Sequence, residues 1–172
     1  HPIAFDICAA NQILNYFAQK AGMEYDKNGA LAQSGRVDLE LVHQHHEQTP
    51  FLNQLPPKSL DNTYSKNIIA ALEQLSVIDA LATACAHIAF EIKTSLTSLH
   101  CKNGTILLTG GGAKNSFLTA LIQTELQALN IEVAIPEEQM IDYKEAIAMA
   151  FIGYLRQKNK KNVLHQISGA QE

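Results

Sequence analysis

The chain has 172 residues, of which 47% are hydrophobic and 17% are charged, and its formal net charge is −4. This composition excludes an intrinsically disordered chain. A chain of this length buries about 70% of its unfolded surface on folding, so it needs no disulfide or metal to stabilise it. The longest apolar stretch, Ala146 to Leu155, is far shorter than the ~20 residues that span a bilayer, so no membrane contact is expected.

Cysteine usage and the start of the sequence predict the compartment. Cys8, Cys85 and Cys101 are odd in number and lack paired spacing, which is typical of reduced thiols in a cytosol. No basic segment followed by an apolar one stands at the start, so we expect no signal peptide. Trp is absent, which argues against a stacking surface for single-stranded nucleic acid. A soluble, cytoplasmic α/β protein is the expectation.

Helices are predicted along the first hundred residues. Apolar periodicity favours helices over 11–21, 39–47, 67–75 and 77–99, with a short helical or turn segment over 26–34. Gly22 is positioned to end the first helix as a left-handed cap, and Asp38 to begin the third segment. Two prolines, Pro56 and Pro57, exclude regular helix over 51–59 and predict an ordered connection.

The pattern changes after residue 104. The apolar run Thr105–Thr109 predicts a strand buried on both faces, and Gly110–Gly112 follow at once. A helix over 115–129, a strand over 131–135 and a last helix over 142–157 complete the order strand, helix, strand, helix. This order predicts a mostly parallel sheet covered by helices.

The glycine run between the first strand and its helix is the sharpest motif. Gly110, Gly111 and Gly112 let a ligand approach the backbone closely, and the helix that begins near Asn115 offers free N–H groups to a nucleotide or phosphate. It is not a P-loop, because no Gly-Lys-Ser/Thr follows. Two alternatives stay open: a tight turn without a ligand, and a dinucleotide site in which Glu137 or Glu138 binds a ribose.

A second motif covers Phe5–Asn11, interpreted as the end of an apolar strand, an acid, a turn of small residues and a helix start. Small residues at 8–10 leave backbone amides accessible, and Asp6 could face a metal-bound phosphate. The structural alternative is that Asp6 bonds to its own turn and that Asn11 caps the helix.

Other polar clusters favour structural roles. Asp142 and Glu145 have the spacing of a capping box, which predicts a helix start at this point. Tyr25–Gly29 resembles a calcium loop, but its glycine comes too early for an EF-hand. The basic run Arg156–Lys161 is expected to be a solvated helix end.

Histidines and cysteines do not predict a metal site. His43, His45 and His46 are interpreted as surface residues near a helix end. Cys85 and His87 are two residues apart on a helix, so they point about 200° apart and cannot bind one ion together.

Several segments together resemble anhydro-N-acetylmuramic acid kinases, in the same order along almost the whole chain, from Ile3 to about Leu155. The segments that carry the resemblance are 4–6 with Asn11, 25–30, 34–37, 56–59, 108–115, 144–146 and 150–151. The resemblance implies the actin-like ATPase fold, in which two ribonuclease-H-like lobes close on ATP. It also implies a reaction in which ATP and water open the anhydro ring of the amino sugar and phosphorylate O6 during peptidoglycan recycling.

The resemblance also implies roles for particular residues. Gly110, Gly111, Gly112 and Asn115 correspond to the adenosine-binding segment, and Phe5–Asn11, with Asp6 and Asn11, correspond to a phosphate-binding loop. Glu145, Lys58 and Ser59 match family positions as well. ATP with Mg²⁺ is the implied cofactor, no metal ligand is expected in the chain itself, and a homodimer is the implied assembly.

Two departures from the family pattern shape the remaining expectations. Where the family commonly has Thr-Gly-Pro-Gly, this chain has Ile7-Cys8-Ala9-Ala10, which motivates an alternative as a non-catalytic nucleotide-binding or interaction module. The family's catalytic aspartate base lies upstream of residue 1. We therefore expect 1–172 to be the C-terminal lobe of a two-lobe kinase, inactive alone, with a basic, solvent-exposed end over 156–172.

Overall fold

Seven α-helices and two β-strands form the part of the chain that the computed structural model describes, residues 2–162. Three short 3₁₀ turns, Lys27–Gly29, Gly111–Lys114 and Gln127–Leu129, separate some of them. The elements are α1 (Asn11–Lys20), α2 (Ala30–Ser34), α3 (Leu39–Gln48), α4 (Asn62–Leu72), α5 (Val77–Ser98), β1 (Gly104–Leu107), α6 (Ser116–Leu126), β2 (Ile131–Ala134) and α7 (Glu138–Gln157).

Helix ends follow the capping residues that the sequence predicts. Gly22 has φ +78°, and its N–H donates to the Gln19 carbonyl while the Met23 N–H donates to the Ala18 carbonyl, which is a Schellman ending for α1. The Asp38 carboxylate accepts from the Leu41 N–H and begins α3. These helix limits are confirmed.

The hydrophobic core is built around α5. Its predicted stripe includes the fully buried Leu81 and Cys85, and residues of α1, α4 and α6 pack in the same cluster, among them Phe17, Ile68 and Leu126. Each fully buried Leu or Phe stabilises the fold by about 2–3 kcal/mol. The helices are held mainly by packing on α5.

The sheet of the described residues contains two parallel strands, β1 and β2, joined through α6. Gly104 pairs with Ile131 and Leu107 with Ala134, so the predicted parallel pairing is confirmed. The expectation that the first strand is buried on both faces is wrong for this part of the chain, because Leu107 is 61% exposed. No described element covers that side of β1.

Two predicted helix starts are wrong. α4 begins at Asn62 rather than at residue 67, because the Asp61 carboxylate accepts from the Thr63 and Tyr64 N–H groups and caps a polar first turn. α7 begins at Glu138 rather than at residue 142, with no side-chain cap on Glu137. Asp142 lies inside α7, so the predicted capping box does not form.

The last helix is largely exposed. Ile141 is its buried residue, and the basic side chains of Arg156–Lys161 are exposed. Residues 163–172 of the predicted basic end lie outside the described residues. No helix within residues 2–162 combines the length and apolarity needed to cross a membrane.

Candidate functional site

A cleft of about 1070 Å³ opens between the glycine turn, the N-terminal end of α1, the segment 24–28 and α7; we call it the large cleft. Its lining includes three lysines and five acidic residues. The predicted site residues Asn11, Gly110, Gly111, Gly112, Asn115 and Glu145 all line it.

Backbone conformation and close packing explain the glycines of this turn. Gly110 has φ +78° and ψ −176°, a conformation that is essentially restricted to glycine. A Cβ on Gly111 would lie 3.2 Å from Asn11 Nδ2, and one on Gly112 would lie 3.3 Å from Asn11 Oδ1. The glycine turn and the Asn11 side chain are therefore in contact, and the fold brings together two motifs that are about a hundred residues apart.

Asn115 follows the glycine turn and caps the helix behind it. Its Oδ1 accepts from the Leu118 N–H at 3.0 Å and caps α6, and the residue is only 8% exposed. Gly29 packs so closely against it that a Cβ there would lie 2.2 Å from Asn115 Oδ1. Its side-chain oxygen is thus committed to the helix, while the residue still contributes to the cleft wall.

The opposite wall is the segment 24–28, which holds its shape through hydrogen bonds. The Asp26 carboxylate accepts from the Leu31 and Ala32 N–H groups at 2.9 Å each, and Asp26 is buried. The Ser116 hydroxyl donates to the Asn28 carbonyl at 2.8 Å and fastens this wall to α6. The segment that resembles a calcium loop is thus a wall of the cleft, and the Asp26 carboxylate stabilises it.

Two lysines next to the glycine turn differ in their partners. Lys114 lies 2.5 Å from an Asp142 oxygen and 3.4 Å from a Glu138 oxygen, and the hydrogen bond to Asp142 is the main reason that its pKa is raised. Lys144 donates to the Thr109 hydroxyl at 3.2 Å. Glu138, one of the two acids considered for a ribose, is therefore already paired with a lysine.

A second cleft of about 450 Å³, the small cleft, adjoins the large one and shares Asn11 and Gly112 with it. Asp6 lies in this cleft, and its Oδ2 accepts from the Ser59 hydroxyl at 3.1 Å and the Leu60 N–H at 2.8 Å. The structural alternative predicted that Asp6 would bond to its own turn. This prediction is wrong, because both donors lie more than fifty residues further along the chain. These bonds give Ser59 a positioning role that sequence reasoning did not find.

The segment 7–10, where the chain departs from the family pattern, is anchored by packing. Cys8, Ala9 and Ala10 pack against the core, and burial raises the pKa of the Cys8 thiol. No strand is formed over 2–10, so the predicted strand end at Phe5 is wrong within the described residues. Asn11 is the first residue of α1, and the cap position is Ala10, without a side-chain hydrogen bond.

The interpretation of His45 and His46 as surface residues is wrong, because α3 packs on α5. His46 Nδ1 lies 3.0 Å from an oxygen of Glu91, which is 2% exposed. His87, on α5, is fully buried and shares a 2.9 Å hydrogen bond with the Tyr64 hydroxyl. Burial is the main cause that lowers the pKa of His87, to about 3. We call these residues the histidine cluster: His45, His46, Tyr64, His87 and Glu91.

This cluster is not arranged as a metal site. Within residues 2–162, no group of three or more His, Cys, Asp or Glu side chains could hold a metal ion. His43 lies outside the cluster and stacks on Phe90 with ring centroids 5.1 Å apart.

Sequence reasoning missed two features of the large cleft: the wall 24–28 and the lysines 114 and 144. Residues 25–28 of the wall and both lysines lie in segments that carry the family resemblance, at 25–30, 108–115 and 144–146, so the signal was present. Their role depends on contacts between segments far apart in sequence, such as the one between Ser116 and Asn28.

Comparison with known proteins places this chain in a family. A sequence profile described as anhydro-N-acetylmuramic acid kinase matches residues 1–172. The anhydro-N-acetylmuramic acid kinase of Microcystis aeruginosa (strain NIES-843) is 34% identical over 164 residues, which cover 90% of this chain and 43% of that protein. Anhydro-N-acetylmuramic acid kinase 1 of Jannaschia sp. (strain CCS1) is 33% identical over 153 residues, with 87% and 40% covered.

A more distant relative agrees. The anhydro-N-acetylmuramic acid kinase of Rhodococcus erythropolis (strain PR4) is 30% identical over 177 residues, which cover 98% of this chain and 44% of that protein. The chain spans less than half the length of the curated relatives described here. Because the family profile matches the chain from end to end, the chain belongs to the anhydro-N-acetylmuramic acid kinase family.

Proposed function

We propose that this chain is the C-terminal, ATP-binding lobe of an actin-like sugar kinase. The kinase as a whole converts 1,6-anhydro-N-acetylmuramate, ATP and water to N-acetylmuramate 6-phosphate in the cytoplasm, as a step of peptidoglycan recycling. The observation that carries this proposal is the large cleft, which is built around Gly110–Gly112 in a chain of the anhydro-N-acetylmuramic acid kinase family.

The residues present fit a nucleotide. Added Cβ atoms at Gly111 and Gly112 would make tight contacts of 3.2 and 3.3 Å with the Asn11 side chain, so glycine at these positions keeps the turn open. Its backbone can then approach a ligand closely, which is the general use of glycine at nucleotide sites. A cleft of about 1070 Å³ is slightly larger than the ~300–1,000 Å³ typical of ligand sites.

The small cleft is the proposed path of the phosphates. Ala9 and Ala10 keep side chains short at this cleft, and Asn11 connects it to the large one. Asp6 keeps its place through Ser59 and Leu60 and would face the Mg²⁺ that accompanies the phosphates. Phosphoryl transfer depends mainly on such positioning and on neutralisation of charge.

The remaining parts of the reaction are assigned to residues outside this chain. We propose that an N-terminal lobe of the same protein supplies the aspartate base that activates water, and that the whole protein is a homodimer. ATP supplies the phosphoryl group. In this assignment the described residues bind and orient the nucleotide, and no catalytic residue lies among them.

A non-catalytic module is the weaker alternative. It rests on the departure at Ile7–Ala10, but the relatives described above are named kinases. A dinucleotide-dependent oxidoreductase is weaker still, and binding of NAD(H) would be needed to support it.

The nucleotide assignment is tested by a glycine substitution. We expect ATP to raise the melting temperature of the full-length protein and Gly111→Val to reduce that shift strongly, because the new side chain collides with Asn11. Gly104→Val, at the start of β1 where a Cβ meets nothing within 4 Å, is the control. An unchanged ATP shift in Gly111→Val would refute the site.

The catalytic assignment is tested by product formation. The 6-phosphate product should appear when the full-length protein is given ATP and anhydro-N-acetylmuramate, and should not appear with residues 1–172 alone. Product from residues 1–172 would contradict the assignment of the base to another lobe. ATP binding without product from the full-length protein would favour the non-catalytic alternative.

A further inference from the structure

Lys114 and Lys144, two of the three lysines of the large cleft, are not equivalent. The cleft contains more acidic residues than lysines, so an anionic ligand needs cations that are not already neutralised. Lys114 is paired with Asp142 and Glu138. Among the described residues, Lys144 has the Thr109 hydroxyl as its hydrogen-bond partner and no carboxylate within ion-pair distance.

Lys144 also lies beside the first glycine of the turn. Its Nζ lies 4.0 Å from the position that a Cβ on Gly110 would occupy, so the ammonium group stands directly over this glycine. Its anchor, Thr109, lines the small cleft, whereas Lys144 itself lines the large one. The ammonium group therefore lies where the two clefts approach each other.

We propose that Lys144 binds a phosphate group of the nucleotide at the boundary between the two clefts and thereby makes the site prefer nucleotides to nucleosides. The inference rests on the proposed function and assigns it a specific cation. A ligand that extends from the large cleft towards Asp6 passes the shared residues Asn11 and Gly112. A phosphate next to Gly110 would then replace water around the ammonium group without displacing a carboxylate.

The position of Lys144 on α7 holds its ammonium group in place. Asp142 pairs with Lys114, and two residues later Lys144 donates to the Thr109 hydroxyl. α7 therefore contacts the glycine turn and its neighbour Thr109 through two residues of opposite charge. Thr109 holds the ammonium group before any ligand is present, which reduces the side-chain entropy lost on binding. Lys144 is thus preorganised for an anion.

The test compares ligands that differ only in phosphate. Affinities of the full-length protein for adenosine, AMP, ADP and ATP are measured by calorimetry at fixed Mg²⁺, for wild type and for Lys144→Met, Lys144→Arg and Lys66→Met. Lys66 is an exposed lysine of α4 outside both clefts. Loss of a charge-assisted hydrogen bond predicts that Lys144→Met binds ADP and ATP at least about tenfold more weakly.

Adenosine should bind Lys144→Met as it binds wild type, Lys144→Arg should keep most of the nucleotide affinity, and Lys66→Met should behave as wild type. The shortest nucleotide whose affinity falls identifies the phosphate that Lys144 contacts. Unchanged nucleotide affinity in Lys144→Met, or an equal loss for adenosine, overturns the inference. Failure of wild type to bind any of the four ligands overturns the proposed function itself.

Thr109→Val keeps the proposal testable if Lys144→Met does not fold. This nearly isosteric change removes the anchor but keeps the ammonium group, so we expect a smaller loss, about two- to fivefold for ADP. The dependence of ADP affinity on salt should also become weaker in Lys144→Met, because screening acts on one fewer charge. A salt dependence equal to that of wild type would count against a direct phosphate contact.

Discussion

The histidine cluster and the large cleft both concentrate polar side chains, but they differ in how those groups are satisfied. In the cluster, the buried Glu91 bonds to His46 and the buried His87 bonds to the Tyr64 hydroxyl. His87 Nδ1 is the exception, since it lies 3.6 Å from a Glu91 oxygen and has no hydrogen-bond partner among the described residues. In the cleft, Lys144 and Glu145 are exposed, and the floor is backbone without side chains at Gly110–Gly112. Buried polar groups that find partners inside the protein stabilise a fold, whereas exposed groups that converge on bare backbone are available to a ligand.

This difference separates stability from binding. Changes in the histidine cluster should alter the free energy of unfolding and leave nucleotide affinity alone. Changes in the cleft should do the reverse, except where a residue such as Gly110 has a conformation that itself carries strain. Substitutions in each region can therefore break or sharpen the comparison.

The largest effect is expected at Glu91. Glu91→Ala removes a buried carboxylate and leaves His46 without its partner, which should cost about 3 kcal/mol of unfolding free energy. Urea denaturation measures this, and ATP affinity should stay within about twofold of wild type.

Glu125→Ala is the matched control, since Glu125 pairs with Lys93 at 2.8 Å on the surface and should cost less than about 1 kcal/mol. Equal losses for the two variants would mean that the histidine cluster does not stabilise the fold. A large loss of ATP affinity in Glu91→Ala would mean that the two regions are coupled.

An intermediate effect is expected for two glycines with the same φ. Gly22 and Gly110 both have φ +78°, so Gly22→Ala and Gly110→Ala should each lower the unfolding free energy by about 1–3 kcal/mol. Only Gly110→Ala should also weaken ATP binding, because Gly22 lies outside the cleft. Calorimetry on both variants decides the point, and similar ATP affinities in the two would separate the conformation of Gly110 from ligand binding.

A further effect concerns the dependence of stability on pH. His87 has a pKa of about 3 in the fold and 6.5 as its ordinary value, so below about pH 6.5 the unfolded chain binds a proton that the folded chain does not. Stability should therefore fall as pH decreases, by up to ~1.4 kcal/mol per pH unit from this group. His45, whose pKa burial also lowers, acts in the same direction.

Burial acts in the opposite direction on Glu91, since it raises the pKa of that carboxyl above 4.5. Its folded form holds a proton more tightly, so this contribution is lost as pH rises through the raised value. Urea midpoints between about pH 5 and 6.5 should change less steeply in His87→Gln than in wild type. An unaltered slope in His87→Gln would contradict the assignment.

The sequence predicted local features well and long-range contacts poorly. The limits of α1, α3 and α5 followed from periodicity and caps such as Asp38. α4 began earlier than predicted because its first turn is polar and carries no periodic signal. α7 began earlier because Glu138 starts the helix without a side-chain cap, whereas the prediction placed the cap at Asp142. Exposure of Leu107 was not predictable either, because an apolar strand pattern does not show which neighbours cover it.

The same division holds for the candidate site. The glycines, Asn11 and Asp6 were named as candidate site residues because turns need particular residue types. Such residue types can be recognised from the local sequence alone. His46 and Glu91 are 45 positions apart, and Lys144 is 35 from Thr109. Pairs at such separations are set by helix packing, which single-sequence patterns do not encode.

The unequal burial of α5 and α7 has a consequence for local unfolding. α5 has ten buried residues, whereas α7 has one, Ile141, so among the described elements α7 can open at much lower free energy than the core. Lys144 lies on that weakly held helix. A ligand that contacts both Lys144 and the glycine turn would therefore stabilise the packed position of α7. The stabilisation is ~2.7 kcal/mol when the ligand concentration is a hundred times its dissociation constant. On the proposed function, part of the nucleotide's binding energy is in this way converted into order in α7.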